Sequence, residues 1–484
     1  MKSSPKRKNR WIYFFLILFL LVDFSYSFYQ HYHLPIGGDI AQIVVPSPEK
    51  GYYEVLKNPL GFKVLATGER HSNPNRFFSH WAASKYLLFV PLMLQTFVSP
   101  ITSVYLSIAL FKILLQVLLI YLLALSISDR KNPLDFDFLL AACIVAPLFQ
   151  TLGFNRFMGI IDQSIIYNFF YALPSTLLLV LALPYALLIF HCREIKIKGR
   201  EVIVWMLVAL TLTLSGPLIP GIVLIIFVII HYVLIRNRLT PGFIRLTSPY
   251  RFSSVHYWLL IWISALSMYS LYIGQFNILN QTDVLSLVQR YARMPFGLYE
   301  LVSTKLGLPI LILAIILNLL FIRRHFLGRG GSQILSTAKW IMLFSTIYLM
   351  LLPLGGYRVY RPNLIRYDTI LPIVICMIFL YGISTYFLVK KRELKFRRSY
   401  FAWVMAVTLI FTNADQLNTT QFVCERDALK SLEMSEEKIV RLTNPCPIME
   451  FRLVADPYHS DLKAGLLRRW NIIDRDLLFY QDVE

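Results

Sequence analysis

Asp39 is the acid in this sequence best placed for chemistry. It ends the stretch His33-Leu-Pro-Ile-Gly-Gly-Asp39, just after the first apolar run at 11–22. Paired glycines permit left-handed backbone and close approach of a ligand. A carboxylate beyond them can take a proton from an acceptor hydroxyl as a general base. It can also hold a divalent cation, Mg or Mn, that bridges a phosphate leaving group. The plainer alternative is a turn whose side chain caps a short helix starting near Ile40.

Arginines supply the complementary chemistry. Arg358, Arg361 and Arg366 fall within one short stretch, 355–368, and Arg290 and Arg293 stand three apart, on one face of any helix. Guanidinium forks suit phosphate. The plainer alternative is headgroup contact and ion pairing with Asp368 or Glu300. Arg156 and Asp162 put a cation and a carboxylate into an otherwise apolar segment, and Arg76 and His80 close the polar stretch 42–80. His31, His33, His71 and His80 match no zinc spacing, so solvated interfacial histidines are expected. Lys112 and Gln116, one turn apart, are candidates for an internal pair or a cavity lining. Asp23, near the end of the first apolar run, is expected to reach interfacial water.

The elements that must hold these residues are membrane helices. The chain has 484 residues, 56% hydrophobic, 15% aromatic and 16% charged, outside the range of a soluble domain. Apolar runs long enough to cross roughly 30 Å of hydrocarbon recur throughout. Backbone groups in lipid must be satisfied internally and no barrel alternation is present, so the runs are helices of an all-α polytopic membrane protein.

The net charge of +20 is not a nucleic-acid signature, because the basic residues cluster between alternate apolar runs. The clusters lie at 6–10, 130–131, 193–200, 236–251, 323–329 and 390–398. Placing all six on the cytoplasmic side gives about eleven spans. These are 11–30, 100–126, 137–153, 172–191, 201–216, 218–235, 256–275, 305–322, 339–354, 368–389 and 400–413. The exterior then receives 31–99, 154–171, 276–304, 355–367 and the tail, with the N-terminus cytoplasmic and the C-terminus extracytoplasmic. Residues 1–413 form the transmembrane domain and 414–484 an extracytoplasmic region. The arginines of 355–367 oppose the positive-inside rule, which asks for another reason to be there.

Ser25-Tyr-Ser27 offers a rival signal-peptide reading of the first run, but its aromatics favour a retained span. The segment 79–98 reads as an amphipathic helix on the membrane, anchored by Trp81 and Tyr86. Pro and Gly at 215–221 suggest a tight hairpin between two spans. Cys424 and Cys446 in the tail can form a disulfide that staples a region too small for a rich core. Asn280 and Asn418 begin glycosylation sequons. No nucleotide-binding Gly-rich loop is present.

A long external loop after the first span, an acid near its start, many spans and an extracytoplasmic tail resemble the C-type (GT-C) integral-membrane glycosyltransferases. The resemblance covers the architecture of the whole chain but only one motif position, and the Asp-Glu and Trp-Trp-Asp motifs of two subfamilies are absent. It implies transfer of a sugar from a polyprenyl-phosphate donor to a glycan or other acceptor outside the cytoplasm, in a bacterial inner membrane. Asp39 would be the catalytic residue. Arg290, Arg293, Arg358, Arg361 and Arg366 would contact the donor phosphate, supported by Arg156, Asp162, Arg76 and His80. The competing classes are a transporter or flippase of a lipid-linked or anionic substrate, and a non-catalytic assembly protein. The first needs polar mid-membrane residues and an internal repeat; the second needs no convergence of Asp39 with the arginines.

Overall fold

The computed structural model describes residues 8–48, 52–149, 159–191, 197, 199–239, 254–280, 284–359, 361–391, 397–414 and 417–482. Arg156 and Cys192 lie outside them. The first part of the chain folds as α1 (Lys8–Tyr32), α2 (Ile40–Val44), α3 (Tyr53–Lys57), α4 (Phe62–Thr67), α5 (Phe77–Leu94), α6 (Pro100–Ser128) and α7 (Phe136–Val145). Next come α8 (Leu173–His191), α9 (Gly199–Thr213), α10 (Leu218–Leu239), α11 (Ser254–Gly274), α12 (Leu287–Thr304), α13 (Gly307–His325), α14 (Arg329–Leu351), α15 (Leu371–Lys390) and α16 (Arg397–Ala414). The tail adds α17 (Thr420–Met434), β1 (Ile439–Leu442), α18 (Asp461–Arg469) and β2 (Leu478–Gln481).

Each expected span falls on a helix. Among the described residues, seven helices are long and apolar enough to cross a membrane, and eight if α9 and α10 count as one broken span bent by 119°. The stretch Phe136–Phe149 is short, and α16 does not meet the same criterion of length and hydropathy. The protein is therefore an all-α polytopic membrane protein. Local signals set the ends. Pro100 opens α6, where its missing N–H costs nothing, and Asp129 closes it in left-handed geometry (φ 55°). Ser286 and Gln289 form a reciprocal capping box on α12.

The two ends of the bundle differ. At one, Lys390 reaches Asp137 at 3.0 Å, Arg130 lies 3.9 Å from the same carboxylate, and His191 bonds the Ser126 carbonyl at 2.7 Å. Basic loop residues thus gather together. The other end carries the first loop, the segment before α8, the α9–α10 break and the arginine-bearing stretch before α15.

Several polar residues sit deeper than expected. Asp23 is buried because α1 packs along α6 and α7. Lys112 and Gln116 do not pair: Lys112 donates to the Gln163 carbonyl, while Gln116 donates to Ser27 and faces the His31 ring. His31 is buried rather than solvated where α1 packs on α6, and His71 and His80 are buried because the first loop folds into helices that pack on the bundle. Tyr86 is no interface anchor. Helix α5 lies against α6, so Tyr86 donates to the Ser107 carbonyl at 2.9 Å and its ring meets Phe111.

The tail shares one hydrophobic core with the first loop and the bundle. Trp470 is fully buried and its indole N–H donates to the Leu87 carbonyl of α5 at 2.7 Å. Glu425 of α17 accepts from the Ile36 N–H at 2.8 Å, the Tyr105 hydroxyl at 3.0 Å and the Met449 N–H at 3.0 Å. A disulfide joins Cys424 to Cys446, and β1 pairs with β2 in parallel, Ile439 opposite Leu478.

Candidate functional site

The site begins with the glycine pair. Gly37 has φ +91°, a conformation that L side chains rarely adopt, and its open side faces Ser164. A Cβ on Gly38 would stand 2.6 Å from the ring of Phe451. The pair is thus wedged between the tail and the turn before α8, and a side chain at the second position would have to displace the Phe451 ring. This wedge places Asp39 at the start of α2. Its side chain makes no capping bond, contrary to the plainer expectation for a Gly-Gly-Asp turn. Among the described residues, Asp39 makes no side-chain hydrogen bond or ion pair. It is half-buried, and burial, then the charge of Glu450, pushes its pKa up to about 6.

Glu450 also lines the wall of a cleft of about 770 Å³ formed by Gln42 and the tail residues 450–463, among them Phe451, Arg452, Tyr458, His459 and Lys463. Lys463 holds Glu450 at 2.8 Å. Phe451 and Tyr458 are exposed there. The cleft is open and of a size typical for small-molecule sites.

On its other side Asp39 lies within electrostatic reach of Tyr167. Tyr167 and Tyr171 stack across a π-helical turn, Asn168–Ala172, a wide turn often found at functional sites. The turn is pinned locally. Asn168 bonds both the N–H and the carbonyl of Asp162, and the Asp162 carboxylate accepts the Ser164 N–H at 2.7 Å. Asp162 is buried, which pushes its pKa up to about 8, opposed by the Ser164 N–H and the charge of Lys112.

The arginines arrive from the stretch before α15. Asp368, almost fully buried, is shared by Arg361 at 3.0 Å and Arg366 at 3.2 Å. The Arg366 guanidinium lies 5.7 Å from the Tyr167 ring, and Arg361 donates to the Tyr171 hydroxyl at 3.3 Å. Arg76, at the start of α5, covers the rings of Phe170 at 4.7 Å and Tyr171 at 5.7 Å. His80, one turn on, sits between Tyr52 and Phe170. Burial, then the charge of Arg76, holds its imidazole neutral, well below its ordinary pKa.

The structure therefore links Asp39 to Arg366 through Tyr167, and Arg366 to Arg361 through Asp368. The ion pairing with Asp368 weighed from the sequence is present; Glu300 instead accepts from Asn363 at 3.0 Å. Arg290 and Arg293 stand behind this cluster. Arg290 donates to the Leu285 and Pro353 carbonyls, and Arg293 to the Pro362 carbonyl and the Tyr357 hydroxyl, bracing the arginine stretch. Arg358 is half-buried in that stretch.

Tyr167, Tyr171 and Glu450 were not singled out from the sequence. The two tyrosines lie in an apolar run and Glu450 sits 411 residues beyond Asp39, so neither spacing nor composition pointed to them. A Mg or Mn ion would belong between Asp39 and Glu450. Lys463 already holds Glu450, and among the described residues no group of three His, Cys, Asp or Glu gathers. The proposed mechanism routes no step through such a cation.

No protein-family model matches the chain, and no curated protein is significantly similar to it in sequence.

Proposed function

We propose that this protein is an integral-membrane glycosyltransferase that moves a sugar from a polyprenyl-phosphate-linked donor to an acceptor hydroxyl on the extracytoplasmic face. The observation that carries this reading is Asp39: a half-buried carboxylate with no hydrogen-bond or ion-pair partner among the described residues, its pKa raised toward neutrality, set between an open cleft and an arginine–tyrosine cluster.

The chemistry follows from that position. The acceptor enters by the cleft beside Glu450. Asp39 takes the proton from its hydroxyl, the freed oxygen attacks the anomeric carbon, and the sugar–phosphate C–O bond breaks with inversion. The phosphate leaves with the bonding electrons on its polyprenyl carrier. Arg361 and Arg366, which share Asp368, bring two guanidinium groups from one stretch toward the leaving phosphate. Tyr167 offers its ring face to Arg366, and the Tyr171 hydroxyl accepts from Arg361.

The decisive experiment is glycosyl transfer in membranes carrying wild type or Asp39→Asn, supplied with a panel of polyprenyl-linked sugars. Transfer by wild type that is lost in a normally folded Asp39→Asn supports the reading. Equal transfer by both removes Asp39 from the chemistry.

A further inference from the structure

A guanidinium withdrawn from water is expected to have a carboxylate or several acceptors around it. Arg76 is only 5% exposed, yet among the described residues it makes no ion pair and no side-chain hydrogen bond. Its Nε is completely enclosed and unpartnered. What surrounds it is aromatic and backbone: Phe170 and Tyr171 beneath the guanidinium, and Gly216, whose missing Cβ would stand 2.9 Å from Nε. Asp368, the acid of the neighbouring trio, is already shared by Arg361 and Arg366.

His80 repeats the anomaly one turn along α5. It is fully buried and neither ring nitrogen has a hydrogen-bond partner. A neutral imidazole always carries one N–H, so a donor is left over there as well. Both side chains contact the same ring, Phe170, at 4.7 and 4.8 Å. Two unpartnered donors thus share one wall.

This arrangement is held in place by the break between α9 and α10. The Phe78 N–H donates to the Leu214 carbonyl at 3.2 Å and the Ser79 hydroxyl to the Ser215 carbonyl at 3.0 Å. Gly216, at φ +127°, lets the chain turn over Arg76 without a side chain in the way. The start of α5 also adds its partial positive charge at the same place.

We infer that Arg76 and His80 form an oxyanion site for the phosphate group of a polyprenyl-phosphate lipid. The inference rests on the glycosyltransferase reading for the identity of the lipid, whereas the need for an anion comes from Arg76 alone. A phosphate there supplies the missing counter-charge and accepts from both side chains. Arg361 donates to the hydroxyl of Tyr171, whose ring Arg76 covers, so cations from two elements meet at this tyrosine. The apolar surroundings suit a phosphate carried on a prenyl chain better than a free one.

The test is a binding measurement that needs no sugar transfer. Full-length protein in nanodiscs is titrated with undecaprenyl phosphate, with undecaprenol and with inorganic phosphate. Wild type is expected to prefer the lipid phosphate over the alcohol by at least about tenfold, the scale of one charge-assisted contact pair. Arg76→Gln, with unchanged thermal unfolding, is expected to lose most of that preference. Should that variant fail to fold, Arg76→Lys keeps the charge without the fork and is expected to lose several-fold in preference.

Equal binding of phosphate and alcohol by wild type, or an undiminished preference in Arg76→Gln, overturns the site. Inorganic phosphate bound as tightly as the lipid overturns the assignment to a lipid carrier. A phosphate preference that depends on Arg76 in a protein without transfer activity keeps the site and removes only the enzyme reading.

Discussion

Asp39 and Glu450 hold two carboxylates near each other with different commitments, and this sets the pH behaviour of the site. Lys463 pairs with Glu450 at 2.8 Å, whereas among the described residues Asp39 has no such partner and its pKa is raised to about 6. A base must be ionised to accept a proton, so transfer should fall as pH drops through about 6 and plateau above it. A transfer rate that is flat from pH 5 to 8 would exclude Asp39 as the titrating base. Removal of the Glu450 charge (Glu450→Gln) lowers the pKa of Asp39 and should move that limb to lower pH. The acid at position 39 was legible because it follows a glycine pair after the first span. Its partners were not, since burial and charge across a fold leave no trace in local spacing. Arg290 and Arg293 show the same limit. Their helical spacing was read correctly, yet two arginines on one face serve a bracing role as readily as a phosphate.

At the scale of elements, α2 is five residues long and cannot position Asp39 by itself; its packing partners do so. Helix α5 lies on one side, α18 on another, and Phe451 closes over Gly38. Gly38→Ala puts a methyl where the ring stands, at a cost of about 1–3 kcal/mol from overpacking. It should also cut transfer sharply, because α2 must shift; the pair Gly38→Ala with Phe451→Ala should restore part of the lost melting temperature. No recovery in the double variant would show that the ring is not the obstacle. The helices themselves were readable from apolar length, as was the break at 215–217. The boundary of the membrane set was not. Apolar runs and basic clusters together gave about eleven spans, where among the described residues seven or eight helices are long and apolar enough; α7 is short and α16 falls below the hydropathy needed.

For the whole molecule, the tail is a structural wall of the candidate site rather than an appendage. Its Cys424–Cys446 bridge closes a loop of 22 residues. Chain-entropy arguments give such a loop about 3 kcal/mol. Cys424→Ser with Cys446→Ser should therefore lower the unfolding temperature and, more tellingly, weaken the Met449 and Glu425 contacts that support residues 36–39. A double variant with unchanged melting and unchanged transfer would dissociate the staple from the site. Trp470→Ala should cost about 3–5 kcal/mol, the range for a buried aromatic, and detach the tail from α5. The sequence had marked the tail as a small outer piece because its composition differs from the spans. That composition could not reveal that its apolar residues complete a core begun by the first loop.

Glu450 lies 411 positions after Asp39, which gives the protein a timetable. At about 5–20 residues per second, a ribosome needs roughly 20–80 s to travel from one to the other. Throughout that interval the nascent chain carries its acid without the cleft wall that later flanks it, and the Ile36 amide waits for Glu425. The bundle is laid down first and the cleft beside Asp39 is roofed last. A partly made or prematurely released chain occupies the bilayer without that cleft and, under the proposed glycosyltransferase reading, has no assembled place for an acceptor.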